Sequence, residues 1–165
     1  MVKKQKNKAK TAFISRGTMI FIAIIAAAVA GGAYYILNNS TPANVNFPVF
    51  ATPLNIYIVG THDPTQGYLY EQESTRQAKK GVSGGVADAS IHVPEGSLVS
   101  LHFINEDKDT GSPMDLNIDN FNVHTNKLGY FQAQTINFLA NKDGTFSYYS
   151  NIHPEMKGTI TIDPQ

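Results

Sequence analysis

Residues 143–163 read DGTFSYYSNIHPEMKGTITID. Two runs with strand character, 145–149 and 159–162, bracket a short segment that holds Ser150, His153 and Met156 and is followed by Gly158. Aromatic and β-branched residues favour extended chain on both sides, and Pro154 between them favours a loop. Just upstream, Asn141-Lys142-Asp143-Gly144 separates residues 134–139 from 145–149 and predicts a hairpin connection.

The pattern extends outward as β. Residues 116–124 form one further extended run. Residues 91–105 divide into two strand pieces around Pro94-Glu95-Gly96, a turn signal. In the second piece Val99, Leu101 and Phe103 share one face, as a period of two requires. Residues 54–59 alternate as well. No stretch after residue 40 has a helical period. Residues 71–85 are polar and glycine-rich and read as a long excursion, and Glu106, Asp107 and Asp109 read as a solvated loop. His92 and His102 fall in strands and His62 in a turn beside Asp63-Pro64, each as a structural histidine. The boundaries are therefore a β domain at 48–165, about as long as a real core needs, preceded by a polar linker at 38–47.

The N-terminal part is different in kind. Six of the 13 basic residues, Lys3, Lys4, Lys6, Lys8, Lys10 and Arg16, fall in the first 17 positions without an acidic residue among them. The remainder carries seven basic groups against 13 acidic, a net charge of −6 hidden inside a formal total of zero. Between the halves, residues 18–37 (TMIFIAIIAAAVAGGAYYIL) hold no charge. Twenty residues of helix reach about 30 Å, the thickness of a bilayer core, which predicts a single transmembrane helix; the rival, a signal peptide, usually has a shorter apolar stretch of about 7–15 residues. Tyr34 and Tyr35 resemble an interfacial belt, and the basic head places residues 1–17 in the cytoplasm and the β domain outside. The localisation expected is thus the cell membrane. Ala23, Ala27 and Gly31, with Ala28 and Gly32, give small residues four apart, a spacing that lets helices pack closely in lipid. Asn38 and Asn39 each begin a glycosylation sequon.

Composition excludes several classes. The chain has no cysteine, so disulfides, thiolate metal sites, iron–sulfur clusters and a cysteine nucleophile are ruled out. No phosphate-binding glycine loop, zinc-protease helix motif or nucleophile elbow occurs. The basic head is read as a topology signal, so no nucleic-acid partner is expected.

Residues 48–165 resemble the cupredoxin family. There a strand runs into Cys-x-x-His-x-x-Met, then a glycine and a last strand; here the corresponding positions are Ser150, His153, Met156 and Gly158. Val93-Pro94-Glu95-Gly96, the strand after it and Asn105 are similar to the family's V-P-x-G strand pair, and His124 sits where the family places its first histidine ligand. The resemblance implies an all-β cupredoxin-like Greek-key sandwich or barrel, joined to one N-terminal transmembrane helix. It also implies a degenerate metal loop formed by His124, Ser150, His153 and Met156, with no metal expected, because a blue copper site needs the thiolate that Ser150 lacks. The whole architecture resembles subunit II of a haem–copper terminal oxidase in its quinol-oxidase form, which keeps the fold without the copper A centre. That resemblance implies a non-catalytic subunit with no cofactor of its own. Haem and copper would sit in the partner subunit I, Ala23, Ala27 and Gly31 would pack in the bilayer, and contact with the quinol pool would be indirect. The alternatives are a free-standing membrane-anchored electron carrier and a copper-binding domain working through His124, His153 and Met156.

Overall fold

The computed structural model describes residues 16–73, 86–87 and 91–165. They form two compact units that divide between Asn39 and Ser40.

The first unit contains helix α1, Arg16–Asn39. Its described side chains are all exposed, Ile20 at 62% and Val29 at 66% among them. A helix that is apolar on every side lacks the polar face that suits one to water. Among the described residues, however, no helix is long and apolar enough to cross a membrane. The structure therefore does not support the transmembrane span expected at residues 18–37. Ala23, Ala27 and Gly31 lie on this helix, exposed, and a Cβ added to Gly31 would meet nothing within 4 Å. The basic head lies outside the described residues, apart from the backbone of Arg16 and Gly17.

The second unit is a pair of five-stranded sheets. The strands are β1 Leu54–Asp63, β2 Gly67–Glu73, β3 Val86–Ala87, β4 Ile91–Pro94, β5 Leu98–Asn105, β6 Asn117–Ile118, β7 Val123–His124, β8 Ala133–Leu139, β9 Gly144–Tyr149 and β10 Lys157–Asp163. One sheet has the order β3-β2-β1-β5-β8 and the other β4-β10-β9-β6-β7. The pairs β1–β5 and β4–β10 are parallel, so the chain crosses between sheets instead of running as a meander. Alternation fills the space between them. Ile56 and Ile58 of β1, Val99, Leu101 and Phe103 of β5, Phe138 of β8, Tyr148 of β9 and Ile160 and Ile162 of β10 belong to one buried cluster.

Several expectations change here. The connection at residues 141–144 is not a hairpin: β8 pairs with β5 and β9 with β10, so this turn passes from one sheet to the other. A real hairpin joins β1 to β2, and β2 covers residues 71–73, the start of the excursion expected at 71–85. Asp63 Oδ1 accepts hydrogen bonds from the amides of Thr65 (2.7 Å) and Gln66 (2.9 Å), and Gly67 follows at φ +84°, the left-handed region that suits glycine. His62 is consequently the penultimate residue of a strand rather than a turn residue. Residues 74–85 lie outside the described part. The run expected at 116–124 is broken by a 3₁₀ turn, Asp119–Phe121, which swings Phe121 into the core. Finally, the linker expected at 38–47 belongs to the second unit from Ser40. The Ala43 amide donates to the Asn137 carbonyl, and the Asn44 carboxamide bridges the Leu139 amide and carbonyl. A primary amide satisfies a strand end as another strand would.

Candidate functional site

The loop from Ser150 to Met156 joins β9 to β10 and closes on itself: the Ser150 amide donates to the Met156 carbonyl (3.1 Å) and the Met156 amide to the His153 carbonyl (2.9 Å). Inside it, Ser150 Oγ accepts from the amides of Ile152 (3.1 Å) and His153 (3.0 Å). Its own proton goes to Asp115 Oδ1 at 2.5 Å.

Asp115 is the centre of the arrangement. It is 5% exposed and sits two residues before β6. Besides Ser150, it accepts from the amides of Asn151 (3.0 Å) and Ile152 (3.3 Å) and from Asn117 Nδ2 (3.0 Å). Its carbonyl accepts the Tyr70 hydroxyl at 2.5 Å. Burial pushes the Asp115 carboxyl up, but the hydrogen bonds from Ser150, Asn117, Ile152 and Asn151 outweigh it and hold the group below the ordinary aspartate range. Burial and the neighbouring Asp115 charge push the Tyr70 phenol up, so it stays a donor.

His153 closes one side. Its Nε2 lies 2.9 Å from Ser112 Oγ and 3.2 Å from the Pro113 carbonyl. A carbonyl only accepts, so Nε2 carries a hydrogen. The imidazole stacks on Tyr68 with ring centres 3.7 Å apart, and its Nδ1 lies 3.9 Å from the Glu155 carboxylate. Ser112 is held in reach by Asn105, whose Nδ2 donates to the carbonyls of Ser112 and Leu128, both at 2.8 Å. Asp107 caps the same segment through the amides of Asp109, Thr110 and Ser112 and the Thr110 hydroxyl. It is 2% exposed, which corrects the expectation of a solvated acidic loop; Glu106 and Asp109 are exposed.

Both buried carboxylates have folded-state pKa values below their unfolded ones: burial acts upward on each, and the hydrogen bonds prevail. Their stabilisation is present above the unfolded aspartate value, about 3.9, and is lost as pH falls through the folded values. The urea midpoint is therefore expected to fall as pH drops below about 4. The Asp115→Asn variant should fall less steeply over that window; equal slopes would exclude Asp115 from the effect.

The structure thus brings Ser150, His153 and Met156 to one loop and leaves His124 outside it. His124 is on β7, and β6 lies between β7 and β9. Two strand spacings are about 10 Å. Its side chain is 48% exposed, with Nδ1 3.1 Å from Asn117 Oδ1 and 3.9 Å from Asp119. Met156 is fully buried, as are Met114 and Leu116 on either side of Asp115. The remaining histidines occupy structural settings. His92 pairs with Asp163 at 3.1 Å. His102 lies between Thr135 and Asn55, stacks on Tyr57, and has its pKa lowered by burial. His62 lies 4.7 Å from Tyr68 and holds its Nδ1 buried without a hydrogen bond. Sequence reasoning missed Asp115, Tyr70 and Ser112. No sequence signal marked Asp115, because in Met114-Asp115-Leu116-Asn117-Ile118 it falls where an alternating strand ordinarily carries a polar residue.

Residues 65–162 match the family model described as a cupredoxin-like domain. The chain belongs to the cupredoxin-like family. Similar solved structures include auracyanin B, 17% identical with a TM-score of 0.46 over 70% of this chain and 94% of that one. An auracyanin from Roseiflexus castenholzii is 18% identical, with a TM-score of 0.45 over 69% and 100%. Copper nitrite reductase from Nitrosomonas europaea is 14% identical, with a TM-score of 0.47 over 69% and 42%. No curated protein sequence matches the chain.

The fold is typical of electron carriers and copper proteins, but the donor set of this cupredoxin-like chain does not fit copper. A blue copper centre takes two imidazoles, a thiolate and a weak axial thioether. Here one imidazole reaches the loop, the thiolate position is Ser150, and the Ser150 hydroxyl is occupied by Asp115 and two amides. Among the described residues, no group of three or more His, Cys, Asp or Glu side chains is placed to hold a metal ion.

Proposed function

We propose that this cupredoxin-like chain is a membrane-anchored subunit without a redox metal of its own, and specifically a non-catalytic subunit II of a haem–copper quinol oxidase. One observation carries the first part: the residue in the position of the family's copper cysteine, Ser150, is spent on internal hydrogen bonds. A hydroxyl engaged in this way is no ligand for a redox metal, so the loop offers no centre for accepting and passing on an electron. The anchor is supported by residues 18–37, an uncharged run whose described side chains are exposed apolar groups with no polar face. In this reading α1 spans the cell membrane once with the basic head in the cytoplasm. Ala23, Ala27 and Gly31 face a helix of the catalytic subunit, and the β domain caps that subunit outside. Haem, copper and quinol chemistry belong to the partner.

The test is purification of the full chain from detergent-solubilised native membranes. Co-migration with a haem-containing oxidase subunit is expected, and a haem-free preparation would sink the oxidase assignment. A second reading, a membrane-anchored electron carrier, is favoured by the family match over residues 65–162. Copper(II) added to the full chain separates the two: the subunit reading expects no intense visible absorption, and a strong band requires the carrier.

A further inference from the structure

We infer that the Asp115 carboxylate takes the place of a metal ion as the organiser of the 150–156 loop, so that the polarity of this centre is reversed and the loop is built to surround an anion. The inference rests on the copper-free reading of the loop but not on the oxidase assignment.

A metal-binding loop turns lone pairs inward around a positive charge. This one turns hydrogens inward. Three successive groups converge on Asp115, the Ser150 hydroxyl and the amides of Asn151 and Ile152, the last shared with Ser150 Oγ, to which the His153 amide also donates. Successive backbone amides converging in this manner form an electropositive concavity that binds anions. The anion is internal. An ionised carboxylate only accepts, with about four lone-pair positions, and four donors meet Asp115: Ser150, Asn151, Ile152 and, from its own strand, Asn117. Three of the four come from the loop, across a sequence separation of 35 to 37 residues. Among the described residues no lysine, arginine or histidine forms an ion pair with it, and the groups that meet the charge are hydrogen-bond dipoles.

Two consequences follow. The loop needs no metal to be ordered, and a cysteine at position 150 cannot by itself recreate a copper centre. Its thiolate would face the Asp115 carboxylate, the surrounding amides would disfavour a cation, and the second imidazole would still be absent.

The experiment uses the full chain in detergent. For the native protein, the melting temperature is expected to shift by less than about 1 °C on adding EDTA, copper(II) or zinc(II), since a ligand that does not bind the native state cannot stabilise it. The Ser150→Cys variant is expected to show no intense visible band with copper(II). In Asp115→Ala, amide exchange at Asn151 and Ile152 is expected to speed up at least tenfold while Ile160 in β10 keeps its protection. Should that variant fail to fold, Asp115→Asn, which retains one acceptor oxygen, is expected to show a smaller acceleration at the same two amides. A metal-induced rise of several degrees in the native protein, a blue Ser150→Cys variant, or unchanged exchange at Asn151 and Ile152 would each overturn the inference. A haem-free purification would leave it standing.

Discussion

Phe103→Ala is expected to lower the free energy of unfolding by about 3–5 kcal/mol, the range for removing a fully buried aromatic. Phe103 is 1% exposed at the centre of the space between the sheets. Its ring stands edge-on to Tyr70, with centres 5.8 Å apart, and packs beneath Gly60, where an added Cβ would lie 3.2 Å from the ring. Close neighbours on several sides make it hard for the site to collapse, and an uncollapsed cavity places the cost toward the upper end. A domain with a total stability of 5–15 kcal/mol would lose a large share of it. Urea unfolding measures the effect as a lower midpoint at unchanged slope. A loss below about 1.5 kcal/mol would contradict the packing of β5 against the opposite sheet. Because Tyr70 also donates to the Asp115 carbonyl, exchange at the Asn151 and Ile152 amides should rise with it.

Gly158→Ala is expected to destabilise by about 2–3 kcal/mol through overpacking. Gly158 pairs directly with Tyr148 across β9 and β10, and a Cβ at position 158 would run into the Tyr148 ring and hydroxyl. Tyr148 is 2% exposed and lies 5.4 Å from Tyr70. Because the ring is buried against Tyr70, either β10 must shift or the ring must give up that packing. An aromatic ring laid over a glycine of the neighbouring strand is a recognised way of pinning register. The double variant Gly158→Ala/Tyr148→Leu tests the cause: a smaller leucine should recover part of the loss. Equal stability for Gly158→Ala and the native chain would mean that the ring is not held there.

Much of this architecture was legible in residue order. The alternation Val99, Leu101 and Phe103 faces inward as read, and Pro94-Glu95-Gly96 does turn the chain, with Gly96 at φ +79°. The loop holding Ser150, His153 and Met156 was visible because all three lie within one turn between two strands. The hairpin read at residues 141–144 failed for a definite reason. A turn signal reports that the chain reverses, and says nothing about whether the next strand joins the same sheet. The strand at Gly67–Glu73 was hidden because its polar outer residues resemble loop text. His124 shows the limit most clearly. Its order in the sequence matched a ligand position, yet it stands on β7, with β6 between that strand and β9.

What the sequence determines by itself is therefore local. It sets which stretches extend, the exclusion of thiolate chemistry, the segregation of a basic head from an acidic body, and the uncharged run between them. These depend only on residue type and short-range period. Which residues from outside the loop share the site was decided by tertiary structure alone. Asp115 and Ser150 are 35 residues apart and meet only because β6 pairs with β9 at Asn117 and Tyr149. Strand pairing is a long-range choice made by the whole core. Through it a carboxylate with no motif of its own became the residue around which the loop is built.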